Sequence, residues 1–482
     1  MRKIILIASL SAALVATPAM AEPHRRSGLE WGACPETGVT LDPRQECATL
    51  HVPMDYRRPG GEQLTLAVSR ISTAKAGTRR GVLLLIPGGP GGAGLARPTT
   101  HGLRLPQAVL DRYDIVGFDP RGVGSSTPVS CDFEARDLDP VTFLPWPGPG
   151  GDLTESTEQA RRMADACVRN GGPLIRHITT RNEARDIDRI RQALGESRLS
   201  YWGTSYGTYA GAVYASMFPS RTDRVVLDSN DDPDPRRVAR GWMANFAIGA
   251  EDRFPDFAAW AAARSAEFGL GATPGEVRDT YLRLTATLDE HPRPDLTGNT
   301  LRALMFNSLY ADRAFPQAAV FLRAANTGTP APPIPVLPPT WGNTLSAQFA
   351  TACNDVAWPG PSHDYAGDVA RNRAAYPLTA GMPVNIRPCA FWPYRPAEPA
   401  TRVNSHGPAN IVMIQNRRDP ATPLAGALRM HEAFGQRARM VIVESGGHDA
   451  YVENGNPCGD ATVTAFLTDG TRPTRPIVTC ET

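Results

Sequence analysis

The sequence contains one Gly-x-Ser-x-Gly pattern, at residues 203–207, with Ser205 at its centre. A short apolar run precedes the pattern, and small and apolar residues at helical spacing follow it. A strand, a sharp turn and a helix in this order expose a serine at the turn, where larger side chains in place of the two glycines would clash. The pattern alone is weak evidence in a glycine-rich chain, and the residues around it are more informative. The context predicts that Ser205 is the nucleophile of a serine hydrolase.

A glycine-rich loop at residues 87–94 directly follows the apolar run at residues 81–86. Such a loop can supply one backbone N–H of an oxyanion hole, and the residue after the nucleophile supplies the other. Because Pro90 has no N–H, we expect Gly89 and Tyr206 to be the two donors. A loop without a function is the simpler alternative. A phosphate-binding loop is disfavoured because no Gly-Lys-Ser/Thr follows.

The base and the acid are expected later in the chain, in the order serine, aspartate, histidine. Asp419 follows an apolar run that ends near Gln415, and His448 follows another run through a pair of glycines. The imidazole would take the proton of the serine and give it to the leaving group, while the carboxylate would orient the ring. We therefore predict the triad Ser205, Asp419 and His448.

Other residues compete for these two roles. His406 lies in a loop before a strand and His431 in a helical stretch, so neither has the expected position. Asp449 is adjacent to His448 in sequence, and we expect it to be unable to face the ring. Asp419 itself has two alternative interpretations, a helix N-cap and a surface charge.

Short β-type runs alternate with helical stretches, which is typical of a mostly parallel α/β sheet. The predicted strands cover residues 47–53, 63–71, 81–86, 113–117, 199–203, 224–227, 409–415 and 439–444. Between residues 231 and 401 no buried strand is evident, and helices are expected at residues 238–268, 274–288 and 301–326, followed by a Pro-rich stretch.

The pattern favours one sheet with a helical insertion over two consecutive domains, because the predicted triad needs residues from both sides. We expect an α/β-hydrolase core at residues 22–230 and 401–482, with a largely helical cap at residues 231–400. The 482 residues are enough for a core with such an insertion.

The first residues have the three parts of a signal peptide: Arg2 and Lys3, a short apolar stretch, and an Ala-x-Ala site that ends at Ala21. A buried N-terminal helix is the alternative. We expect residues 1–21 to be removed and the protein to be secreted, extracellular or periplasmic. Because Glu22 and not cysteine follows the site, no lipid anchor is expected, and no other segment is apolar enough to span a membrane.

The sequence has eight cysteines, an even number that suggests disulfides in an exported chain. Sequential pairing is our choice among 105 possible connectivities, because every loop is then short. The predicted pairs are Cys34–Cys47, Cys131–Cys167, Cys353–Cys389 and Cys458–Cys480. The absence of Cys-x-x-Cys and of histidine at ligand spacing disfavours a metal site, and no cofactor is expected.

The charge balance, 50 Lys and Arg against 49 Asp and Glu, gives no reason to expect a nucleic acid or an anionic membrane surface as partner. The oligomeric state cannot be inferred.

Three segments resemble the proline iminopeptidase-related serine peptidases, and most of all the secreted tripeptidyl aminopeptidases of actinobacteria: Gly88-Gly89-Pro90-Gly91, residues 119–126, and Gly203-Thr204-Ser205-Tyr206-Gly207. Residues 389–393 and 419–423 resemble the C-terminal region of that group. The resemblance implies the same triad as the residues do. The loop at residues 119–126 is interpreted as structural. One departure is Pro87, where many proline iminopeptidases have histidine, so the chain is not expected to be a strict proline iminopeptidase.

An aminopeptidase must bind a free α-ammonium group with buried acids, since an unpaired charge is costly to desolvate. Asp228, Asp231, Asp232 and Asp355 are the candidates, with solvated or capping carboxylates as the alternative for each. We choose Asp355, because it lies in the insertion beside a predicted disulfide.

These observations predict a secreted serine exopeptidase that releases short peptides, tripeptides by the resemblance, from free N-termini. A carboxylesterase with the same triad is the first alternative. A non-catalytic binding protein with a hydrolase fold is the second, and the complete triad argues against it. Epoxide hydrolases and dehalogenases need a carboxylate nucleophile, and this chain has Ser205.

Overall fold

The computed structural model describes residues 28–139, 141, 143–334 and 337–481. The signal peptide predicted at residues 1–21 lies outside the described residues. The described residues contain nine strands of one sheet: β1 (Glu46–Pro53), β2 (Gln63–Ile71), β3 (Gly81–Ile86), β4 (Tyr113–Phe118), β5 (Leu199–Thr204), β6 (Thr222–Asp228), β7 (Ile411–Arg418), β8 (Ala438–Gly446) and β9 (Ile477–Cys480).

The strand order is β1-β2-β4-β3-β5-β6-β7-β8-β9. β1 and β2 pair antiparallel, β2 also pairs antiparallel with β4, and every pair from β4 to β9 is parallel. Every residue of β3 and β5 is buried, as expected for parallel strands covered on both faces. This is the predicted α/β-hydrolase fold. The carboxyl ends of β3, β5, β6, β7 and β8 meet at one edge of the sheet, where such folds bind ligands.

The helices are α1 (Arg97–Thr100), α2 (Gln107–Leu110), α3 (Thr154–Asn170), α4 (Thr180–Ala193), α5 (Tyr206–Met217), α6 (Val238–Ala262), α7 (Ser265–Phe268), α8 (Pro274–Glu290), α9 (Gly298–Ser308), α10 (Phe315–Thr327), α11 (Trp341–Asp355), α12 (Tyr365–Ala375), α13 (Leu424–Phe434) and α14 (Pro457–Asp469). α6 to α12 all lie between β6 and β7. Within the described residues, this segment adds no strand to the central sheet. We call it the helical segment.

The helical segment has an apolar core of its own, separate from the two clusters that cover the faces of the sheet. Packed aromatic rings form part of it: the ring of Phe254 lies 5.3 Å from that of Tyr281, and the ring of Phe257 lies 5.5 Å from that of Phe315. Burial of large aromatic groups is a strong source of packing energy. The segment can therefore hold its shape against the edge of the sheet.

α5 packs against the sheet because its residues are small. A Cβ at Gly211 would lie 2.8 Å from the ring of Tyr201 on β5, and Ala210 and Ala212 are fully buried. This close packing holds the N-terminus of α5, which directly follows Ser205, in a fixed position above β5.

The four disulfides join Cys34 to Cys47, Cys131 to Cys167, Cys353 to Cys389 and Cys458 to Cys480. The predicted sequential pairing is confirmed. No helix in the described part of the chain has both the length and the apolar character needed to cross a membrane.

Candidate active site

Ser205 lies at the sharp turn between β5 and α5, with φ 56° and ψ −130°. Few residues other than glycine adopt a positive φ, and strain of this kind clusters at active sites. The turn is held by its backbone: Ser205 N–H donates to Asp228 O at 3.0 Å, and Thr208 N–H donates to Ser205 O at 2.8 Å. The side chain of Ser205 is thereby presented at the edge of the sheet.

Both glycines of the Gly-x-Ser-x-Gly pattern are required by close backbone contacts. A Cβ at Gly203 would lie 2.4 Å from Gly207 O, and a Cβ at Gly207 would lie 2.4 Å from Ile86 O. Neither contact can be relieved by rotating a side chain, since all the opposing atoms are backbone. The pattern therefore follows from the packing of α5 against β5 and β3.

The glycine-rich loop after β3 lies directly against the serine. A Cβ at Gly88 would lie 2.9 Å from Ser205 Cβ and 3.4 Å from Ser205 Oγ. Within the described residues, the N–H groups of Gly89 and Tyr206 donate no hydrogen bond. A free N–H in a glycine loop and a free N–H at a helix N-terminus are suited to an anionic oxygen. Tyr206 directly follows Ser205, and Gly89 directly follows Gly88, so both predicted oxyanion donors belong to segments that lie beside Ser205.

His448 and Asp419 form a buried pair. Nδ1 of His448 lies 3.0 Å from both Oδ1 and Oδ2 of Asp419, and the two side chains are 10% and 0% exposed. Oδ1 of Asp419 also accepts the N–H groups of Ala421 and Thr422, and Oδ2 accepts Thr422 Oγ1, each at 2.9 Å. These donors fix the carboxylate, which in turn fixes the ring.

Burial of the His448 ring opposes its protonation, but the carboxylates of Asp419 and Asp449 outweigh this effect and raise the pKa of His448. A carboxylate that favours the imidazolium form is what proton transfer from a serine requires, because the ring becomes charged in the transition state. In the part of the chain that the structure describes, Ser205 Oγ has no hydrogen-bond partner. Catalytic hydrogen bonds often tighten only when substrate binds.

Asp228, the last residue of β6, connects the serine to the histidine loop. Its backbone O accepts Ser205 N–H, and its carboxylate accepts the N–H groups of Ala450 and Tyr451 at 2.8 and 3.0 Å. Trp202 Nε1 donates to the same carboxylate at 3.3 Å. One residue thus ties the turn after β5 to the loop after β8.

The helical segment contacts the loops that carry the serine and the aspartate. The ring of Trp242 on α6 lies 5.9 Å from the ring of Tyr206. Further along α6, a Cβ at Gly249 would lie 2.4 Å from Pro420 O and 2.8 Å from Asp419 O. α6 therefore runs across the edge of the sheet between these two loops.

Two other parts of the helical segment contact the remaining loops. Tyr310 O accepts the N–H of His448 at 2.8 Å, and the two rings lie 5.2 Å apart. A Cβ at Gly91 would lie 2.4 Å from Thr344 O and 3.0 Å from Gln348 N on α11. The loops after β3, β5, β7 and β8, which form the site, thus each contact the helical segment.

Asp355, chosen from the sequence as the residue that binds the substrate amino group, lies at the end of α11. Its carboxylate accepts the N–H of Thr180 at 2.9 Å and the hydroxyl of Thr180 at 2.5 Å. Burial raises its pKa to about 6. Thr180 Oγ1 also lies 2.8 Å from Tyr206 Oη. Asp355 is thus bonded to α4, and the structure shows no direct contact between it and the serine, aspartate or histidine.

The other three candidate carboxylates lie at the end of β6, beside the site. Asp228 has the partners described above. Asp232 accepts Arg429 at 2.8 Å and Asn245 Nδ2 at 3.4 Å. Asp231 donates its backbone N–H to Thr208 Oγ1 at 3.1 Å. These residues are all at least 97% buried.

Asp449 differs from its expectation. Its Oδ1 lies 3.8 Å from His448 Nε2, the nitrogen opposite the one that contacts Asp419. The reason is the backbone, since Asp449 has a φ of 65° that turns its side chain back towards the ring. Of the competing histidines, His406 is exposed in a loop and His431 lies on α13.

Sequence reasoning missed Tyr310 and Thr422, and it considered Asp228 only as a candidate for binding the substrate amino group. Asp228 and Tyr310 carry no local pattern, because their partners are distant in the chain. Thr422 could have been found: aspartate followed three residues later by threonine is typical of a turn in which the carboxylate accepts nearby N–H groups.

Comparison with known proteins agrees with this geometry. A family model described as TAP-like protein matches residues 376–480. Tripeptidyl aminopeptidase of Streptomyces lividans is 35% identical over 476 residues, which cover 94% of this chain and 87% of the relative.

Two mycobacterial relatives match a similar share of the chain. Serine protease Hip1 of Mycobacterium tuberculosis is 30% identical over 497 residues, covering 94% of this chain and 91% of the relative. Carboxylesterase B of the same species is 32% identical over 483 residues, covering 92% and 88%. With an α/β-hydrolase fold, a serine at the sharp turn and these relatives, the chain belongs to the tripeptidyl aminopeptidase family of α/β-hydrolase serine peptidases.

Proposed function

We propose that the protein is a secreted serine exopeptidase that releases tripeptides from free N-termini, with Ser205, Asp419 and His448 as its triad. The observation that carries this proposal is the buried His448–Asp419 pair at the same sheet edge as a strained serine, with the helical segment over all the loops. The similarity to tripeptidyl aminopeptidase supports the choice of substrate.

The proposed acylation step uses the geometry directly. Asp419 accepts a hydrogen bond from the Nδ1–H of His448, which leaves Nε2 free to take the proton of Ser205 Oγ as this oxygen attacks the scissile carbonyl. The carbonyl oxygen becomes an oxyanion that accepts the N–H groups of Gly89 and Tyr206.

The tetrahedral intermediate then collapses. The protonated His448 gives its proton to the leaving amine, the C–N bond breaks, and the released product is the remainder of the peptide with a new N-terminus. Water repeats the sequence on the ester at Ser205, with His448 again the base. Hydrolysis of the ester returns Ser205 and releases the short N-terminal peptide as an acid.

We also propose that residues 231–400 act as a cap over a core built from residues 22–230 and 401–482. The contacts of Trp242, Gly249, Tyr310 and Thr344 with the loops of the site support this role. A cap of this kind would limit access to chain ends, because a folded polypeptide could not pass beneath it.

A carboxylesterase activity is the second candidate, and the similarity to Carboxylesterase B favours it. The same triad and oxyanion donors would cleave an ester, since only the leaving group differs. The two candidates therefore differ in the substrate pocket and not in the chemistry.

The test compares a tripeptide 4-nitroanilide with a free amino group, its N-acetylated twin and a short-chain nitrophenyl ester, each with the wild type and with Ser205→Ala. We expect the free anilide to be cleaved at least about tenfold faster than its twin, because a buried acid must pair with the ammonium group. Equal rates would contradict the exopeptidase, and ester hydrolysis alone would favour the esterase. Activity that survives in Ser205→Ala would contradict the nucleophile.

Secretion is supported by the four disulfides, which form and persist in oxidising compartments. The test is N-terminal mass analysis of protein recovered from the periplasm or the medium. We expect the chain to begin at Glu22. Retention in the cytoplasm with Met1 still present would contradict this proposal.

A further inference from the structure

Asp231 is a buried carboxylate without a partner. Only 3% of the residue is exposed, and among the described residues no hydrogen bond or ion pair reaches its side chain. Its neighbour Asp232 is equally buried but pairs with Arg429, and Asp228 accepts three N–H groups. Of the three aspartates at the end of β6, Asp231 is therefore the one whose carboxyl group has no hydrogen-bond or ion-pair partner among the described residues.

The backbone places Asp231 beside the turn that carries Ser205. It follows β6, which lies between β5, the strand before Ser205, and β7, the strand before Asp419. Its N–H donates to Thr208 Oγ1, and this hydroxyl donates to Ser205 O. The residue is thus two hydrogen bonds away from the nucleophile.

The charges around Asp231 are mostly negative. Burial first, and then the carboxylates of Asp232 and Asp419, raise the pKa of Asp231 to about 8, while His448 opposes the shift. Arg429 is already paired with Asp232. A buried charge of this kind is costly unless a cation joins it, so a cationic group of the ligand would remove the cost.

We propose that Asp231 is the anionic subsite that binds a primary ammonium group of the substrate. The choice of a peptide as the ligand rests on the proposed function. The ammonium group can come from the free N-terminus or from a lysine side chain of the peptide. In both cases it would form a charge-assisted hydrogen bond with the Asp231 carboxylate.

The experiment measures binding without catalysis, by calorimetry on the full-length Ser205→Ala protein. The ligands are tetra-alanine and its N-acetylated twin. We expect the free peptide to bind about 10- to 100-fold more tightly, the range for a hydrogen bond between charged groups. In Ser205→Ala/Asp231→Asn the two dissociation constants should become equal.

A matched control is Ser205→Ala/Asp355→Asn, which removes a different buried carboxylate, one already bonded to Thr180, and should keep the difference. If Asp231→Asn does not fold, Asp231→Ser replaces it. A second pair, N-acetyl-Ala-Ala-Lys-Ala and its norleucine analogue, identifies the source of the ammonium group. An Asp231-dependent preference in this pair alone assigns the subsite to the lysine side chain.

Two outcomes would overturn the subsite: no preference for an ammonium group in either pair, or a preference that persists in Asp231→Asn. The proposed function fails on a different result, since it needs cleavage of the free anilide by the wild type. If the protein binds the ammonium group through Asp231 but cleaves only esters, the proposed subsite is supported and the proposed peptidase activity is contradicted.

Discussion

We expect Asp449→Asn to move the acid limb of the pH–rate profile to lower pH. Hydrolysis requires neutral His448, so the rate rises as pH passes upward through the pKa of this ring. The carboxylates of Asp419, Asp449 and Asp228 all raise the pKa of this ring. Removing the charge of Asp449 lowers the pKa of His448. The variant therefore becomes active at a pH at which His448 of the wild type is still protonated and inactive.

The size of the shift follows from the distance of 3.8 Å between Asp449 Oδ1 and His448 Nε2. Two unit charges about 4 Å apart interact by about 1 kcal/mol in water and by about 4 kcal/mol at an effective dielectric constant of 20. The side chain of Asp449 is 27% exposed and that of His448 10%, so an intermediate value applies. We expect a shift of about 1 to 2 pKa units.

The assay is kcat/KM for a nitrophenyl ester from about pH 6 to about pH 11, a range that brackets the pKa of about 10 to which His448 is raised. An ester is used because it has no ionising group of its own. Asparagine suits the site, since it tolerates the positive φ of Asp449 as aspartate does. Glu453→Gln is the control, because Glu453 pairs with Arg104 and not with the ring. An acid limb that stays in place or moves upward would refute the electrostatic reasoning.

Three further predictions concern other parts of the structure. Asp419→Asn should lower kcat on the same ester by about 10⁴-fold while the fold is retained in circular dichroism, because the amide favours the wrong tautomer of the imidazole; a loss below tenfold would contradict the triad. Gly207→Ala should lower the free energy of unfolding by at least about 2 kcal/mol in urea denaturation, since its Cβ would lie 2.4 Å from Ile86 O; unchanged stability would show that the turn can move. Cys353→Ser/Cys389→Ser opens a loop with a sequence separation of 36 residues, and the same measurement should show a loss of about 4 kcal/mol; a loss below 1 kcal/mol would mean that the unfolded chain is restrained in another way.

Much of the core could be predicted from the sequence, because its strands are short apolar runs bounded by turns. All eight predicted strands are present within a few residues of their expected bounds. β9 was missed, since its four residues follow a Pro-rich stretch and are only partly buried. The helix predicted at residues 301–326 is two helices, α9 and α10, separated by the turn that brings Tyr310 to His448.

The candidate site was less predictable than the strands. Chain order and glycine context led to Ser205, Asp419 and His448, which the structure brings to one edge of the sheet. Local patterns could not distinguish Asp231 from Asp355, because each is an aspartate directly preceded by an asparagine and neither carries a motif of its own. The difference between them is whether a donor such as Thr180 reaches the carboxylate, and that depends on contacts between distant parts of the chain.

The spacing of the four disulfides has a consequence for how the chain matures. Their sequence separations are 13, 36, 36 and 22 residues, and every pair is complete before the next cysteine occurs in the chain. A polypeptide that enters an oxidising compartment with its N-terminus first would meet its cysteines two at a time, each with its native partner. Native pairing then needs no reshuffling of earlier bonds, a slow step that takes seconds to hours. The order of the cysteines along the chain therefore favours native disulfide pairing by any oxidase that acts while the chain is still entering the compartment.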